Sequence, residues 1–406
     1  MASSSPAPPS STSPAPSPPL SPTMRAWQFS STHGGLEKNL KLNESAALPP
    51  HDAKTLGRDK VLVKVLAAAL NPVDYKLVEL PLVGRLAVKT PSSPGLDFAG
   101  RVVAVGPADH PPHTAHAASE AEVQVGQMVF GRLDAPTQFG TLAEYTVARR
   151  AGLAAVPEGV VAVPDAAGVA TAGLTAYQAI APNVGSKGAA GGKTPRVFIN
   201  GGSGGTGIWS IQIAKALGCH VVATCSGRNV ELCKSLGADE VLDYTQVDVV
   251  GALKQMATTP TTTATAAGDA NASSPPSSSP HDESNKLFDL VVDNVGNSDK
   301  LYWQCHHFTS PKAKYVQVGA GMSGHAVLQM VKKMLWPGFL GGGRRKFHMM
   351  MVSSDAAQLA EIARWMAQGK ARAVVDEVVP FEDAPRAFEK LRTGHARGKV
   401  VVTVSG

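Results

Sequence analysis

Hydrophobic and polar positions divide the chain into two kinds of pattern. Between residues 24 and 165, short apolar runs bounded by Gly and Pro predict strands at 61–66, 101–105 and 141–147. After residue 165 the apolar runs are separated by helix-length segments, the first helix being predicted at 166–180. The predicted strands of this part are 196–200, 220–225, 240–243, 288–293 and 314–318. The pattern predicts an α/β fold, a doubly wound parallel sheet with helices on both faces, next to a β-rich module.

The same patterns predict where the domains begin and end. We expect a disordered tail at 1–23, a β-rich domain at 24–165, a nucleotide-binding domain at 166–369, and a return to the first domain at 370–406. The tail is almost entirely Ser, Pro and Ala. Low-complexity insertions interrupt the domains at 107–122, 185–193 and 258–284. The last insertion is so rich in Thr, Ala, Ser and Pro that we expect it to be disordered.

A glycine-rich turn lies between the strand at 196–200 and a helical stretch at 208–217. It consists of Gly202, Ser203, Gly204, Gly205, Thr206 and Gly207. With the following strand at 220–225, these elements form a βαβ unit, which is the context that a dinucleotide-binding turn requires. Glycines let the backbone turn sharply and approach a pyrophosphate, whose charge the helix N-terminus stabilises.

Composition excludes several other classes of protein. The 406 residues suffice for about two domains, and no apolar stretch approaches the ~20 residues of a membrane-spanning helix. The four cysteines form no CxxC pair, so the sequence indicates a reducing, intracellular setting. The net charge of +6 is spread along the chain, apart from the basic run 344–346, and no nucleic-acid partner is expected.

Several short motifs, in the same order along the chain, carry a family resemblance. They are the segments 71–76 (NPVDYK), 94–100 (PGLDFAG), 125–131 (VGQMVFG), 172–177 (AGLTAY), 236–239 (LGAD), 293–296 (DNVG) and 394–400 (GHARGKV), together with the glycine turn. The chain resembles the medium-chain dehydrogenase/reductase superfamily, in particular its zinc-independent quinone oxidoreductase, or zeta-crystallin-like, branch. The resemblance implies a β-rich, GroES-like catalytic domain enclosing a Rossmann domain, and a homodimer formed through the Rossmann sheet.

The positions of zinc ligands in that superfamily are occupied by other residues here. Asn71 stands in place of a Cys, Leu96 and Asp97 replace a His-Glu pair, and 166–180 contains no Cys. Catalytic zinc normally takes three ligands from the protein, and because none of the expected thiolate or imidazole ligands is present, we expect no metal. A loop with His110, His113 and His116 has a spacing that could hold one, although its prolines prevent a regular ligand face.

The residues after the second Rossmann strand favour NADPH as the cofactor. NAD-preferring units carry an acidic residue there, whereas this chain has Ser226 and Arg228, which can bind a 2′-phosphate. The alternative, that Arg228 is a solvated loop residue, stays open. The resemblance places Ser203, Gly205 and Thr206 over the pyrophosphate, and it assigns further cofactor contacts to Thr175, Tyr244, Asn294, Gly319, His395, Ala396, Arg397 and Lys399.

Without a Lewis acid, reduction of a simple ketone becomes hard, whereas quinones and α,β-unsaturated carbonyls still accept hydride. The residues expected to line the catalytic cleft are Asn71, Asp74, Tyr75 and Lys76, with Thr175 beside them. Tyr75 and Lys76 are the candidate proton donors. Equally open are a packed Tyr75, a surface Lys76 and an Asp74 that only holds its loop together.

We therefore expect an NADPH-dependent oxidoreductase that transfers hydride to a small quinone or enone. Two alternatives stay open: a non-catalytic NADPH-binding protein with a regulatory or structural role, and a reductase that contacts an anionic membrane surface through 330–351. That basic and aromatic segment equally suits a lid over the substrate cleft. A cytoplasmic location is expected, with mitochondrial or membrane-peripheral sites as alternatives.

Overall fold

The computed structural model describes residues 20–52, 54–80, 84, 88–108, 123–157, 159–185, 194–258, 287–319, 321, 324–336, 340 and 342–405. Several predicted segments lie outside these ranges. They are residues 1–19 of the tail, 109–122 with the three-histidine loop, 186–193, and 259–286.

The N-terminal part of the chain is built from antiparallel strands. A two-stranded sheet pairs β1 (Thr23–Gln28) with β2 (Lys41–Ala47), neither of which the apolar pattern predicts. The larger sheet contains β3 (Lys60–Leu70), β4 (Asp97–Val105), β5 (Met128–Arg132), β6 (Tyr145–Arg149) and β7 (Leu153–Ala155). β3 pairs with both β4 and β6, and its side chains are buried along most of its length.

The second part forms a six-stranded sheet in which every neighbouring pair of described strands is parallel. Its strands are β8 (Arg196–Asn200), β9 (His220–Cys225), β10 (Glu240–Asp243), β11 (Phe288–Asp293), β12 (Thr309–Gln317) and β13 (Lys346–Met349). The order β10-β9-β8-β11-β12-β13 is that of a Rossmann sheet. The predicted doubly wound parallel sheet is therefore confirmed, and its direction of winding reverses between β8 and β11, where such folds bind ligands.

The C-terminal strands belong to the first sheet. β14 (Val375–Pro380) pairs in parallel with β15 (Lys399–Thr403), and β15 pairs antiparallel with β3. This pairing brings Lys399 into contact with Asn71, which lies 328 residues earlier in the sequence. Three strand ends meet there: the end of β3 before Asn71, the start of β4 at Asp97, and the start of β15 at Lys399. The fold thus brings together three distant parts of the sequence.

Helices cover the strands on both sides. They are α1 (Pro72–Lys76), α2 (Val163–Ala167), α3 (Ala170–Val184), α4 (Gly205–Ala216), α5 (Val230–Ser235), α6 (Val249–Thr258), α7 (Asp299–Gln304), α8 (Gly324–Leu335), α9 (Ala356–Ala367) and α10 (Ala384–Arg392). The largest hydrophobic cluster joins α3 and α4 to both sheets. At its centre Trp209 is fully buried, and its indole N–H donates to the carbonyl of Gly168 over 3.3 Å.

Two predicted elements differ from the structure. The single helix predicted at 166–180 is wrong, because α2 ends at Ala167, with Gly168 as its C-cap, and α3 begins only at Ala170. The strand predicted at 141–147 begins later, at Tyr145, because the backbone N–H groups of Thr141 and Leu142 donate to the carbonyl groups of Gly95 and Pro94. There, contacts with a distant part of the chain outweigh the apolar pattern.

Candidate functional site

The glycine turn between β8 and α4 has no room for a side chain at Gly207 and little at Gly202. A Cβ on Gly207 would lie 2.0 Å from the carbonyl oxygen of Gly201, and one on Gly202 would lie 3.0 Å from side-chain atoms of Ala223 and Ile211. Real Cβ atoms essentially never approach backbone as closely as at Gly207, so this position requires glycine. The N-terminus of α4 begins inside this turn at Gly205, which is the arrangement that binds phosphate groups.

A network of hydrogen bonds connects the turn to the ends of the neighbouring strands. The Tyr315 hydroxyl donates to one oxygen of the Asp293 carboxylate over 2.6 Å, and the Asn200 amide donates to the other over 2.8 Å. The Thr224 hydroxyl donates to Asn200 over 2.7 Å and accepts from the backbone N–H of Gly201 over 2.9 Å. The strand ends and the turn are therefore fixed as one rigid unit.

The far side of the turn carries the residues expected to select the cofactor. Asn229 is buried and donates through its amide to the hydroxyls of Ser203 and Ser226, over 3.1 and 3.3 Å. Arg228 is exposed, and Tyr244 is 54% exposed at the end of β10. A carboxylate that the strand pattern does not reveal lies beside the turn, because a Cβ on Gly227 would be 2.6 Å from an Asp243 oxygen.

The opposite wall of the crevice offers an amide with no partner. Both the nitrogen and the oxygen of the Asn294 side chain are buried without a hydrogen bond in the described structure. Next to it, a Cβ on Gly319 would lie 2.4 Å from the backbone oxygen of Asn294. Because buried amides normally find partners, this one fits a ligand that enters the crevice, and the bare turn opposite fits that ligand's phosphates. The crevice therefore suits a dinucleotide.

The C-terminal segment that precedes β15 lies against the turn. The Gly398 N–H donates to the Ser203 carbonyl over 3.0 Å. His395 and Arg397 are exposed and Ala396 is partly buried, so these three lie on the surface near the turn. Lys399 is different: only 2% of its side chain is exposed.

The three strand ends described above form a buried polar cluster. The Lys399 ammonium donates to the Asn71 amide oxygen over 2.5 Å and lies 3.4 Å from an Asp97 carboxylate oxygen. The Asn71 amide donates to that same Asp97 oxygen over 2.9 Å. The other Asp97 oxygen accepts from the hydroxyl of Thr171, over 2.5 Å, and from its backbone N–H, over 3.1 Å. Arg132 donates in turn to the Thr171 hydroxyl over 3.1 Å.

This cluster is hereafter called the Asn71–Asp97–Lys399 cluster. Two of its members, Asn71 and Asp97, are residues that the sequence resemblance places at zinc-ligand positions, and the Lys399 ammonium contacts both of them. Within the described ranges, no three His, Cys, Asp or Glu side chains are grouped so that they could hold a metal ion. Sequence reasoning assigned Lys399 to the cofactor and gave Asp97, Thr171 and Arg132 no role, because their partners are distant in sequence.

Asp74 is buried at the start of α1. One carboxylate oxygen accepts the Asn71 backbone N–H over 2.7 Å, which caps the helix, and the other has no described partner. Asp74 and Ser93 both line a small cleft, and the Ser93 hydroxyl is likewise buried without a described partner. Burial raises the pKa of the Asp74 carboxyl to about 7, and the Asp97 carboxylate adds to the rise.

The raised pKa of Asp74 predicts a stability change with pH. The folded chain binds this proton more tightly than the unfolded chain, so Asp74 stabilises the fold most below pH 4, and this contribution is lost as the pH rises to about 7. Asp74→Asn keeps an acceptor for the Asn71 N–H but cannot ionise. Denaturant titrations should therefore show the wild type losing stability relative to this variant between pH 4 and 7, by about 1.4 kcal/mol per unit of pKa shift.

An Asp52→Asn variant is the matched control for that titration. Hydrogen bonds from Thr55 lower the pKa of the exposed Asp52 carboxyl, so its replacement does not produce the same trend. A difference between wild type and Asp74→Asn that stays constant from pH 4 to 7 would contradict the assignment.

The described contacts of Tyr75 and Thr175 lie outside the Asn71–Asp97–Lys399 cluster. The Tyr75 ring packs under the Arg392 guanidinium, 4.2 Å from its carbon, and burial raises the pKa of the phenol. Burial also lowers the pKa of the half-buried Lys76 ammonium. The Thr175 hydroxyl donates to the Thr171 carbonyl in its own helix over 2.6 Å, so it can meet a ligand only as an acceptor. Catalytic and structural interpretations of Tyr75 and Lys76 both stay open.

The segment at 330–351 consists of the end of α8 and the edge strand β13, with residues 337–339 and 341 outside the described ranges. The exposed apolar side chains on and after α8 are Val327, Leu328, Val331, Met334, Leu335, Trp336 and Leu340. Lys333 is not part of this surface, because its ammonium is buried and donates to Gln317 over 3.1 Å. Among the described helices, none is both long and apolar enough to cross a membrane.

Comparison with known proteins matches two family models. Residues 57–158 match the alcohol dehydrogenase GroES-like domain, and residues 236–402 match the zinc-binding dehydrogenase model. The chain is 49% identical over 385 residues to trans-enoyl reductase pgmF of Aspergillus terreus, covering 94% of this chain and 96% of the relative. It is 29% identical to the NADPH-dependent alkenal/one oxidoreductase of Arabidopsis thaliana, covering 93% of this chain and 79% of the relative.

Among solved structures, the quinone oxidoreductase from Coxiella burnetii superposes on this fold with a TM-score of 0.67. The two chains are 27% identical, and the match covers 94% of this chain and 99% of the other. Similarity in sequence and in structure therefore extends through the β-rich domain, the parallel sheet and the C-terminal return.

Proposed function

The chain belongs to the medium-chain dehydrogenase/reductase superfamily and is an oxidoreductase, and from this membership we propose that it transfers hydride from NADPH to an α,β-unsaturated carbonyl or a quinone. The observation that carries the proposal is the crevice between β8 and β11. It combines a bare glycine turn, an unpartnered Asn294 amide and, at the zinc-ligand positions, a cluster built around an ammonium group. Relatives named as enoyl, alkenal and quinone reductases support the acceptor class.

The residues of the chain would hold a dinucleotide along the crevice. The N–H groups at the N-terminus of α4 would bind its phosphates, and the Asn294 amide would contact its nicotinamide half. When bound, such a cofactor supplies a hydride, that is, a proton with two electrons. The chain then has to orient the acceptor, exclude water and stabilise the negative charge that develops on the acceptor oxygen.

NADPH is proposed over NADH because of Arg228. Its exposed guanidinium follows β9, where it can pair with a 2′-phosphate. The Asp243 carboxylate beside Gly227 works in the opposite direction, since it repels such a phosphate. The other Asp243 oxygen, which does not face Gly227, accepts from the backbone N–H and hydroxyl of Thr245 over 2.9 and 2.7 Å.

Replacing Arg228 with Ala tests this preference. We expect the dissociation constant for NADPH to rise about tenfold, which corresponds to about 1.4 kcal/mol, while that for NADH stays unchanged. Titration calorimetry with both cofactors measures the two values. The matched control is Arg386→Ala on α10, which removes an exposed ion pair with Glu377 of β14. Equal weakening of both cofactors, or of neither, would overturn the assignment of Arg228.

The proposed reaction is tested by the oxidation of NADPH with a panel of quinones, alkenals, cyclic enones and saturated ketones. Turnover is expected with the conjugated members and not with the saturated ketones. Tight NADPH binding without turnover across the panel would instead favour the alternative of a non-catalytic cofactor-binding protein.

Other expectations that remain predictions are the domain boundaries, the homodimer, the cytoplasmic location and a membrane contact through 330–351. The exposed apolar side chains of α8 suit the last of these, or a partner surface. Because Lys333 is buried, its positive charge does not contribute to a membrane contact of this surface.

A further inference from the structure

Lys399 is placed by its surroundings between the cofactor crevice and the catalytic domain. Its aliphatic stem runs past two glycines, because a Cβ on Gly205 would lie 3.4 Å from its Cδ and one on Gly168 would lie 3.4 Å from its Cγ. Gly205 begins the helix of the phosphate-binding turn. The ammonium group at the tip of the stem reaches Asn71 and Asp97 instead of that turn.

The Asp97 carboxylate compensates the charge of the Lys399 ammonium, but the described contacts do not occupy all of its N–H groups. An ammonium has three N–H groups, and the described contacts, with Asn71 and Asp97, account for two of them. The neighbouring charged groups are the Asp97 and Asp74 carboxyls and the Arg132 guanidinium, all buried. A hydrogen bond from a buried cation is worth more than one in water, because the surroundings screen it little.

We propose that Lys399, rather than binding cofactor phosphate, donates its remaining N–H to the carbonyl oxygen of the acceptor and stabilises the negative charge that develops there. This inference rests on the proposed function. Its geometric basis is that a buried ammonium contacts both Asn71 and Asp97 beside the start of the phosphate-binding helix. Both kinds of cation act as electrophiles toward a carbonyl oxygen.

The reaction balances as follows. A hydride adds to the carbon β to the carbonyl and forms a C–H bond, the C=C electron pair moves to the bond between the α and carbonyl carbons, and the carbonyl pair moves to oxygen. Lys399 stabilises that oxyanion without giving up its proton. A proton from solvent then adds at the α carbon. The acceptor gains the two electrons of the hydride, and the nicotinamide, having lost them, is oxidised.

Lys399→Met tests the proposal, because Met has a similar length and no charge. We expect kcat to fall ten- to a hundredfold with weakly activated enones, and less with quinones, whose reduced form delocalises its charge. The dissociation constant for NADPH, measured by its fluorescence in the absence of acceptor, should change less than about twofold. Lys399→Arg, which keeps the charge, should recover part of kcat. The matched control is Lys234→Met, which removes an exposed ammonium paired with Glu231.

Each outcome decides between roles of Lys399. A weakened NADPH affinity with unchanged kcat would show that Lys399 binds cofactor, and an unchanged kcat with every acceptor would show that it is not an electrophile. Either result overturns the proposal. If the Met variant does not fold, Lys399→Gln, which can still bond to Asn71 and Asp97, takes its place in the same measurements. Failure of the wild type to reduce any acceptor would instead refute the proposed function, so the two failures are distinguishable.

Discussion

Gly207→Ala is expected to abolish measurable NADPH binding, raising the dissociation constant at least about a hundredfold, or 2.7 kcal/mol. The added Cβ would lie 2.0 Å from the Gly201 carbonyl oxygen and 2.7 and 2.8 Å from backbone atoms of Gly202. Backbone cannot move aside as a flexible side chain can, so the turn itself must open. Because the Thr224 hydroxyl anchors this turn at Gly201, the displacement also strains the strand ends below it.

Gly324→Ala is the matched control for this substitution. Gly324 begins α8 and has no atom within 4 Å of an added Cβ, so an alanine fits there without displacing the backbone. Titration calorimetry of both variants should show normal binding for Gly324→Ala and none for Gly207→Ala, with circular dichroism confirming that both fold. Normal NADPH affinity in Gly207→Ala would mean that the turn does not hold the cofactor.

Asp97→Ala is expected to destabilise the fold by about 3–5 kcal/mol and to abolish activity, because it leaves buried cations without a counter-charge. Asp97 is fully buried, and its two oxygens accept from Asn71, Thr171 and Lys399. All these donors lose a shared acceptor at once, and Lys399 keeps only its contact with Asn71. Chemical denaturation measures the loss as a shift of the unfolding midpoint at constant pH.

Two further variants isolate the buried pair. Asp134→Ala removes a carboxylate from an exposed pair with Arg149, which should cost no more than about 1 kcal/mol. The double variant Asp97→Leu, Lys399→Met removes both buried charges, so it should regain part of the lost stability but none of the activity. If Asp97→Ala were no less stable than Asp134→Ala, the account of the cluster would be wrong.

Sequence alone predicts the parallel sheet closely, since four predicted strands match β8, β9, β10 and β11 residue for residue. Their strong apolar runs and the glycine turn are local signals. β13 escapes the pattern because it is a short edge strand that starts at Lys346, directly after two arginines. Exposed positions of an edge strand tolerate charged residues, so their sequence lacks the hydrophobic pattern of a buried strand.

The candidate site is predicted only in part, because it depends on contacts between distant residues. Asn71 and the glycine turn are recognisable from their neighbours in sequence. The meeting of Lys399 with Asp97, 302 residues apart, follows from the return of β15 to β3, and no local pattern reveals its atomic contacts. The same holds for Arg392, which covers Tyr75 from a helix near the C-terminus.

The central claim, hydride transfer to a conjugated carbon without a metal, is tested most directly by following the hydride itself. The protein is incubated with an enone and a cofactor that carries deuterium at the transferable position of the nicotinamide ring, with and without a strong metal chelator. We predict deuterium on the β carbon of a saturated ketone product, at equal rates in both samples. Deuterium on the carbinol carbon of an unsaturated alcohol, or a reaction that the chelator stops, would contradict the account.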